Sequence, residues 1–589
     1  MRRRIAISVF PLALVLAGAV YTFADDFAND RFKGTGKADP IRIENVKRAD
    51  GPTAGESSIA FDLAWDHSWR AAWDVPPEQH GGKTPLTLEN WDAAWVFVKF
   101  HKPGDLSWRH ATLDTDASHH TVPSNVAVDL GLTDDGKRGV GAFVYRSTPG
   151  RGPNAWKGIR LRWRHDADGL TDLAGVEVKV LAIPMVYVPQ CAFWVGDGST
   201  NRVSGQFSAG ADSKPIRIES EKALRLGGKQ ESGLGNRDAG MNATELDDFN
   251  SRFTKSLPEK FPKGYAAFYC MRTEITQQQY VDFLNTLSYA QQLERTERQA
   301  KRQGPEAPAG TLVMNSPDKP GNAHRNGIKI AVSGVPDISE PVVIKRETLT
   351  ASSNLLKPGK PAVYETGAPY VACNFLSHFD GAAFAAWAGL RPMTELEFEK
   401  ACRGPLLPVP DEYAWGTDGI AGAPKGGAYT LKNADLPEET VTWEGANGPD
   451  GTRGNAPSMG TNEKLDGPVR AGVFAAPDSD RVRAGASYWG ILDLTGNLVE
   501  SAVPVGLRTG RAFTGDHGAG GASPWEAIAF GMRGGGLSQG NHGGLWGGNE
   551  AYRVSNRFIA DKAWIYVNMR HFAQGFRCVR TATTAPAAR

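Results

Sequence analysis

Turn residues interrupt this chain before a helical or strand period can run far. The 68 glycines and 37 prolines among 589 residues favour short elements joined by structured turns, which excludes an architecture of long helices and predicts a loop-rich, β-leaning fold. The length exceeds what one core organises, so two or three domains are expected. A formal net charge of +1, with no long basic run, supplies no phosphate-neutralising surface, and nucleic acid is not an expected partner.

The first residues place Arg2, Arg3 and Arg4 before an apolar run from Ile5 to about Val20, followed by Thr22, Ala24 and an acidic stretch. This order predicts a secretory signal peptide over 1–24, cut near Ala24, and a periplasmic or secreted mature chain. An uncleaved anchor is the alternative, although the run is near the lower limit for spanning a bilayer. No stable membrane span is expected after cleavage.

From 25 to 182 the signal is period two. In "IAFDLAW" Ile59, Phe61, Leu63 and Trp65 share one face, and in "GIRLRWRH" Ile159, Leu161 and Trp163 alternate with Arg160, Arg162 and Arg164. "VEVKV" repeats the period with Val176, Val178 and Val180. Half-buried antiparallel strands follow, and a β-sandwich is the predicted arrangement.

Beyond residue 183 the chain carries helix signals. Thr276 with Gln279, and Thr394 with Glu397, form capping boxes, and Ser377 with Asp380 caps a further helix. Gly389 and Gly404 supply stops. Tyr280, Phe283, Leu284 and Leu287 make a core-facing stripe. Two polar stretches, 199–262 and 288–360, are expected as surface insertions, and 583–589 as a tail.

The ordered succession "MVYVPQCAFWVGDG", "RTEITQQQYVDFL", "AWAGLRPMTELEFEKACRG", "YAWGT", "LDLTGNLVES", "RGGG" and "GFRCVR" resembles the formylglycine-generating enzyme, or sulfatase-modifying factor, family. The resemblance covers roughly 183–582. It implies an α+β chain: an irregular C-type-lectin-like sulfatase-modifying-factor domain preceded by the antiparallel β-sandwich, which lies outside the resemblance.

The resemblance also implies two calcium sites. Asp493 and Glu500 match side-chain ligands, with the carbonyls of Gly496 and Leu498 between them. Asn433 and Ala434 would pair with Asp466 and Pro468 at the second. Hard oxygen donors of this kind suit Ca²⁺, although Asp493 as a turn cap and Glu500 on a solvated face are the plain alternatives.

Family members that convert a sulfatase cysteine to formylglycine carry two redox-active cysteines shortly after the "RGG" motif and bind copper through them, as soft thiolates suit Cu(I). Here that stretch, "RGGGLSQGNHGGLWGGNEAYRVSNRF" (533–558), has no cysteine, and Gln539 falls near the first expected position. Copper is therefore not an expected cofactor. Of the five cysteines, Cys402 and Cys578 match structural positions whose usual partners are missing, with Val554 opposite Cys402, while Cys191 matches no zinc pattern. Cys270 and Cys373 are candidates for one disulfide in an oxidising compartment.

The same stretch supplies His542, Glu550, Tyr552, Arg553, Asn556 and Arg557, a candidate cleft holding an acid, a base and anion-binding forks. Each also has a plain reading as a turn, packing or ion-paired residue. Upstream, Asp516 and His517 offer a weaker carboxylate and imidazole pair. No histidine cluster of the non-haem iron type is present. Together these features predict a calcium-stabilised binding or assembly module, with an unidentified protein or glycan partner and no formylglycine-generating activity. The alternative is an oxidoreductase or other enzyme that uses the cleft without copper-thiolate chemistry.

Overall fold

The computed structural model describes residues 27–199, 203, 205–210, 214–227, 232–236, 256–297, 304–315, 323–336, 359–421, 428–444, 448–457, 467–536, 551–557 and 570–583. Strands dominate them. β1 (Arg42–Asp50), β2 (Ser57–Val75) and β3 (Leu86–His101) pair antiparallel in sequence order. In β2, Ile59, Phe61, Leu63 and Trp65 are all buried, as period two requires. β4 (Val126–Leu132), β5 (Gly139–Arg146) and β6 (Gly150–Trp163) widen the sheet, β5 lying against both β3 and β4 while β6 lies against β2. Ile159, Leu161 and Trp163 on β6 join the apolar cluster that β2 faces.

β7 (Glu177–Val188) joins the two halves of the chain. It runs antiparallel to β3 from Glu177 to Val186, and Met185–Val188 also pair with β8 (Phe268–Met271). The expected division between residues 182 and 183 thus falls inside one strand. Both halves contribute to a single eleven-stranded sheet.

Four short helices pack beside it: α1 (Gln277–Leu284), α2 (Tyr289–Arg295), α3 (His378–Trp387) and, after the short strand β9 (Arg391–Pro392), α4 (Glu395–Arg403). The capping boxes at Thr276, Ser377 and Thr394 all form, and Ser288 with Gln291 makes a further one at α2. Tyr280, Phe283, Leu284 and Leu287 are buried as a stripe. β10 (Val499–Ala502) lies between β11 (Gly531–Arg533) and β12 (Gln574–Gly575) in a separate small sheet, and β13 (Cys578–Thr581) links β8 to β9.

The two stretches expected as surface insertions also contribute to the core, although many of their described residues are exposed. Phe207–Ala209 pairs with Leu234–Asn236, and Phe207, Leu234 and Leu257 are fully buried. Ile328–Val332 pairs with Val363–Thr366 and buries Ile328 and Ile330. Their apolar triplets are too short to stand out among glycine and serine, yet two- and three-residue pairings suffice to bury them.

Candidate functional site

The centre of the family-like half is built on α4. Glu395, Glu399 and Arg403 recur every four residues along one side of this helix. That side faces β11 and the segment 551–557. Glu395 accepts from Arg533 Nη1 at 2.9 Å, from Arg557 Nε at 2.5 Å and Nη2 at 3.1 Å, and from the Val505 amide at 2.9 Å. Glu399 accepts from Arg533 Nη2 at 2.9 Å and from the Gly196 amide at 2.8 Å. Arg403 pairs with Glu399 and Glu412 and donates to Ser555 Oγ at 2.9 Å. Glu395, Glu399, Glu412, Arg403, Arg533 and Arg557 are all buried. Three carboxylates thus face three guanidinium groups. Burial pushes the Glu395 carboxyl up, but the Arg557 and Arg533 guanidinium groups outweigh it and hold its pKa below the ordinary glutamate value.

The expected cleft divides on this frame. His542 and Glu550 lie outside the described residues. Tyr552 is fully buried and donates from Oη to the Gly536 carbonyl at 2.7 Å. Arg557 donates to Glu395 and to the Gly205 carbonyl, with its guanidinium 4.2 Å from the Phe207 ring centroid. Arg553 donates to the Asp411 carbonyl and lies over the Tyr413 ring, and Asn556 is buried. Tyr552, Arg553 and Arg557 thus hold the segment to its surroundings. The glycines beside them serve close packing: Gly534 has φ of +84°, and a Cβ on Gly536 would lie 2.7 Å from the Ala573 carbonyl oxygen.

The turn 493–498 is the first expected calcium position. Asp493 and Asn497 adopt left-handed backbone, with φ of +58° and +55°, a conformation that non-glycine residues hold only where the surroundings enforce it. Asp493 Oδ2 accepts from the Gly472 amide at 2.5 Å. Glu500 is buried and gripped by Arg577, with Nε at 3.0 and 2.9 Å from its two oxygens and Nη2 at 2.6 Å. The Asp493 carboxylate faces Glu274, a residue the motif reading missed. Glu274 is fully buried and neither of its carboxylate oxygens meets a donor among the described residues. Burial and the Asp493 charge push its pKa well above the ordinary glutamate value, and burial raises Asp493 as well. Two facing carboxylates need a proton or a cation between them, so this corner has the donor chemistry of a hard-cation site. Among the described residues no three acidic, histidine or cysteine side chains converge tightly enough to ligate one ion. A cation here would therefore depend on backbone carbonyls beside the carboxylates.

The second expected position is different. Asp466 lies outside the described residues. The Pro468 carbonyl accepts from Arg325 Nη1 at 2.5 Å, and the same guanidinium donates to Asp435 at 2.8 Å and pairs with buried Glu439. Asn433, at φ +53°, donates to the Glu438 carbonyl, and Ala434 follows it in the same turn. Arg325 thus supplies positive charge where the resemblance would place an ion.

All five cysteines are buried free thiols, so Cys270 and Cys373 are not bridged. Their apolar surroundings suit the neutral form, and burial pushes Cys270 up to about 12. His517 does not pair with Asp516. Its Nδ1 lies 2.8 Å from Asp134 Oδ1 and its Nε2 accepts from the Thr581 amide at 3.1 Å, tying the β4–β5 turn to β13. One further pair was not legible in the sequence: His378 Nδ1 and Ser501 Oγ are 2.6 Å apart. Both are closed off from solvent, and burial pushes His378 down to about 3, which makes them a buried polar contact.

The order of capped helices, left-handed turn and glycine-rich strand matches what the sequence motifs imply. Among the described residues no helix is long and apolar enough to cross a membrane. No curated protein matches the chain. The Sulfatase-modifying factor enzyme 1-like domain (FGE-sulfatase) matches residues 227–582, more than half of the chain, and the protein belongs to that family.

Proposed function

We propose that this sulfatase-modifying-factor-like protein is a binding or assembly module of the periplasm or extracellular space, without formylglycine-generating activity. The observation that carries the reading is the cysteine-free stretch 533–557, together with the burial of Tyr552, Arg553 and Asn556 and the pairing of Arg557 within the charge-balanced frame on α4. A thiolate pair is what binds Cu(I) and performs the redox step in the cysteine-containing relatives. This chain's five thiols are elsewhere, buried and held neutral by their surroundings.

We further propose one calcium ion at the turn 493–498. Asp493 and Glu500, with the carbonyls of Gly496 and Leu498, would hold it, and Glu274 would add its charge. Calcium there supplies only a fixed positive charge and clips the loop to its neighbours. At the second position Arg325 does that work, which argues for a single ion. Metal content tests the reading: calcium without copper supports it, and stoichiometric copper overturns it.

A further inference from the structure

A pocket of about 200 Å³ opens where the two halves of the chain meet. Its walls come from the segment around residues 34–41, from β2, β3 and β7, from the β8 to α1 connection, and from residues 470–475. Two arginines line it, Arg272 and Arg470, and their bonding is incomplete. The Arg272 guanidinium makes one hydrogen bond among the described residues, Nη2 to the Lys33 carbonyl at 3.0 Å. Its buried Nε has no partner among the described residues, and its guanidinium lies 5.0 Å from the Trp69 ring centroid. Arg470 is almost fully buried; its guanidinium donates to the carbonyls of Glu439, Gly36 and Val473, while its backbone amide donates to Glu439 Oε1 at 2.7 Å. Neither guanidinium reaches a carboxylate at ion-pair distance among the described residues. Burial pushes both pKa values down, with nearby carboxylates opposing the shift.

Three carboxylates share the lining, so charge alone does not decide what the pocket takes. Asp39 spends both oxygens on the Asp66 and His67 amides, at 2.7 and 2.8 Å. Asp92 spends both on Ser68 Oγ, the Trp69 amide and Trp65 Nε1. Asp282 accepts from Gln278, with Lys179 offsetting its charge. The carboxylates are thus committed, whereas guanidinium N–H groups of Arg272 and Arg470 remain to be met, and Lys37 adds a third positive charge to the lining. Buried Arg470 and half-buried Arg272, both without ion-pair partners among the described residues, are costly, and an anion from outside relieves that cost. Trp65 and Tyr370 give the pocket aromatic walls, which suit an organic body behind the charged group.

We propose that this inter-domain pocket binds a small oxyanion-bearing molecule, a sulfate, phosphate or carboxylate, through Arg272 and Arg470. The site is separate from the α4 frame; it borders the turn at Asp493 through Gly472 and Leu492, which line the pocket.

The test is thermal melting of the signal-free chain titrated with sodium sulfate, phosphate or acetate, against chloride at matched ionic strength. A saturable rise in melting temperature with at least one oxyanion is expected, and the three arms identify which chemistry is preferred. Arg272→Met and Arg470→Met should each weaken half-saturation at least tenfold, whereas Arg272→Lys should retain part of the response. If the methionine variants do not fold, phenylglyoxal modification of the parent decides: the preferred oxyanion should protect the Arg272 peptide in mass mapping. A non-saturating response equal in parent and variants, or absence of protection, overturns the proposal.

Discussion

Replacing Glu395 by glutamine removes one charge from the frame on α4 with almost no change of volume. In the parent, Glu395, Glu399 and Glu412 balance Arg403, Arg533 and Arg557. Glu395→Gln leaves two carboxylates against three buried guanidinium groups, and an uncompensated buried charge costs about 3–5 kcal/mol. At about 0.8 °C per kcal/mol for a cooperative unit of this size, the melting temperature should fall by roughly 2–4 °C. Arg557→Met should lie in the same range. The double variant should cost at least about 1 kcal/mol less than the sum, because both changes break one interaction. The pH dependence has a defined sign. The folded-state pKa of Glu395 is depressed, so its contribution is fully present above the unfolded value of 4.5 and is lost as pH falls through the lowered folded value. Parent and Glu395→Gln should therefore converge in acid. Scanning calorimetry at fixed scan rate measures all of this. A Glu395→Gln melt within about 1 °C of the parent, or strict additivity with Arg557→Met, would refute the buried-frame reading.

Glu274 carries the opposite sign. Its raised folded-state pKa makes its contribution fully present below 4.5 and lost as pH rises through the folded value. In chelator, urea midpoints should therefore decline as pH rises above 4.5 through the raised folded-state value; calcium should flatten the decline and Glu274→Gln should abolish it. Identical profiles with calcium and chelator would remove the proposed ion. The five thiols should react with a disulfide reagent only after denaturation, since all are buried and burial raises Cys270 to about 12; one thiol titrating rapidly in the native chain would contradict the inert assignment.

The parts of the fold legible in the sequence were those with local signals. Thr276, Ser377 and Thr394 announce their helices because a capping box is closed within four residues, and Ile59 to Trp65 announce a strand by simple alternation. The single sheet was not legible, because β7 pairs with β3 and β8, partners about 80 residues away on either side, and nothing in "VEVKVLAIPMVYV" marks where one half ends. Phe207 and Leu234 escaped for a related reason: their strands are three residues long. At the site, "ELEFEKACR" shows its i, i+4, i+8 charges plainly, but a charged helix face normally reads as solvated. Only tertiary contact with Arg533 and Arg557 turns it inward. Glu274, one residue before the Ile275–Thr276 helix start, has no sequence signature that separates it from a surface acid.

Whether this family member performs thiolate redox chemistry separates a binding module from an enzyme. The most direct measurement is elemental analysis of the purified chain after copper exposure and buffer exchange, with oxygen uptake followed in the presence of a cysteine peptide of the sulfatase type. The prediction is calcium at about one per chain, no retained copper, no oxygen consumption above buffer and an unchanged peptide mass. Stoichiometric copper accompanied by oxygen uptake and conversion of the peptide cysteine would contradict it.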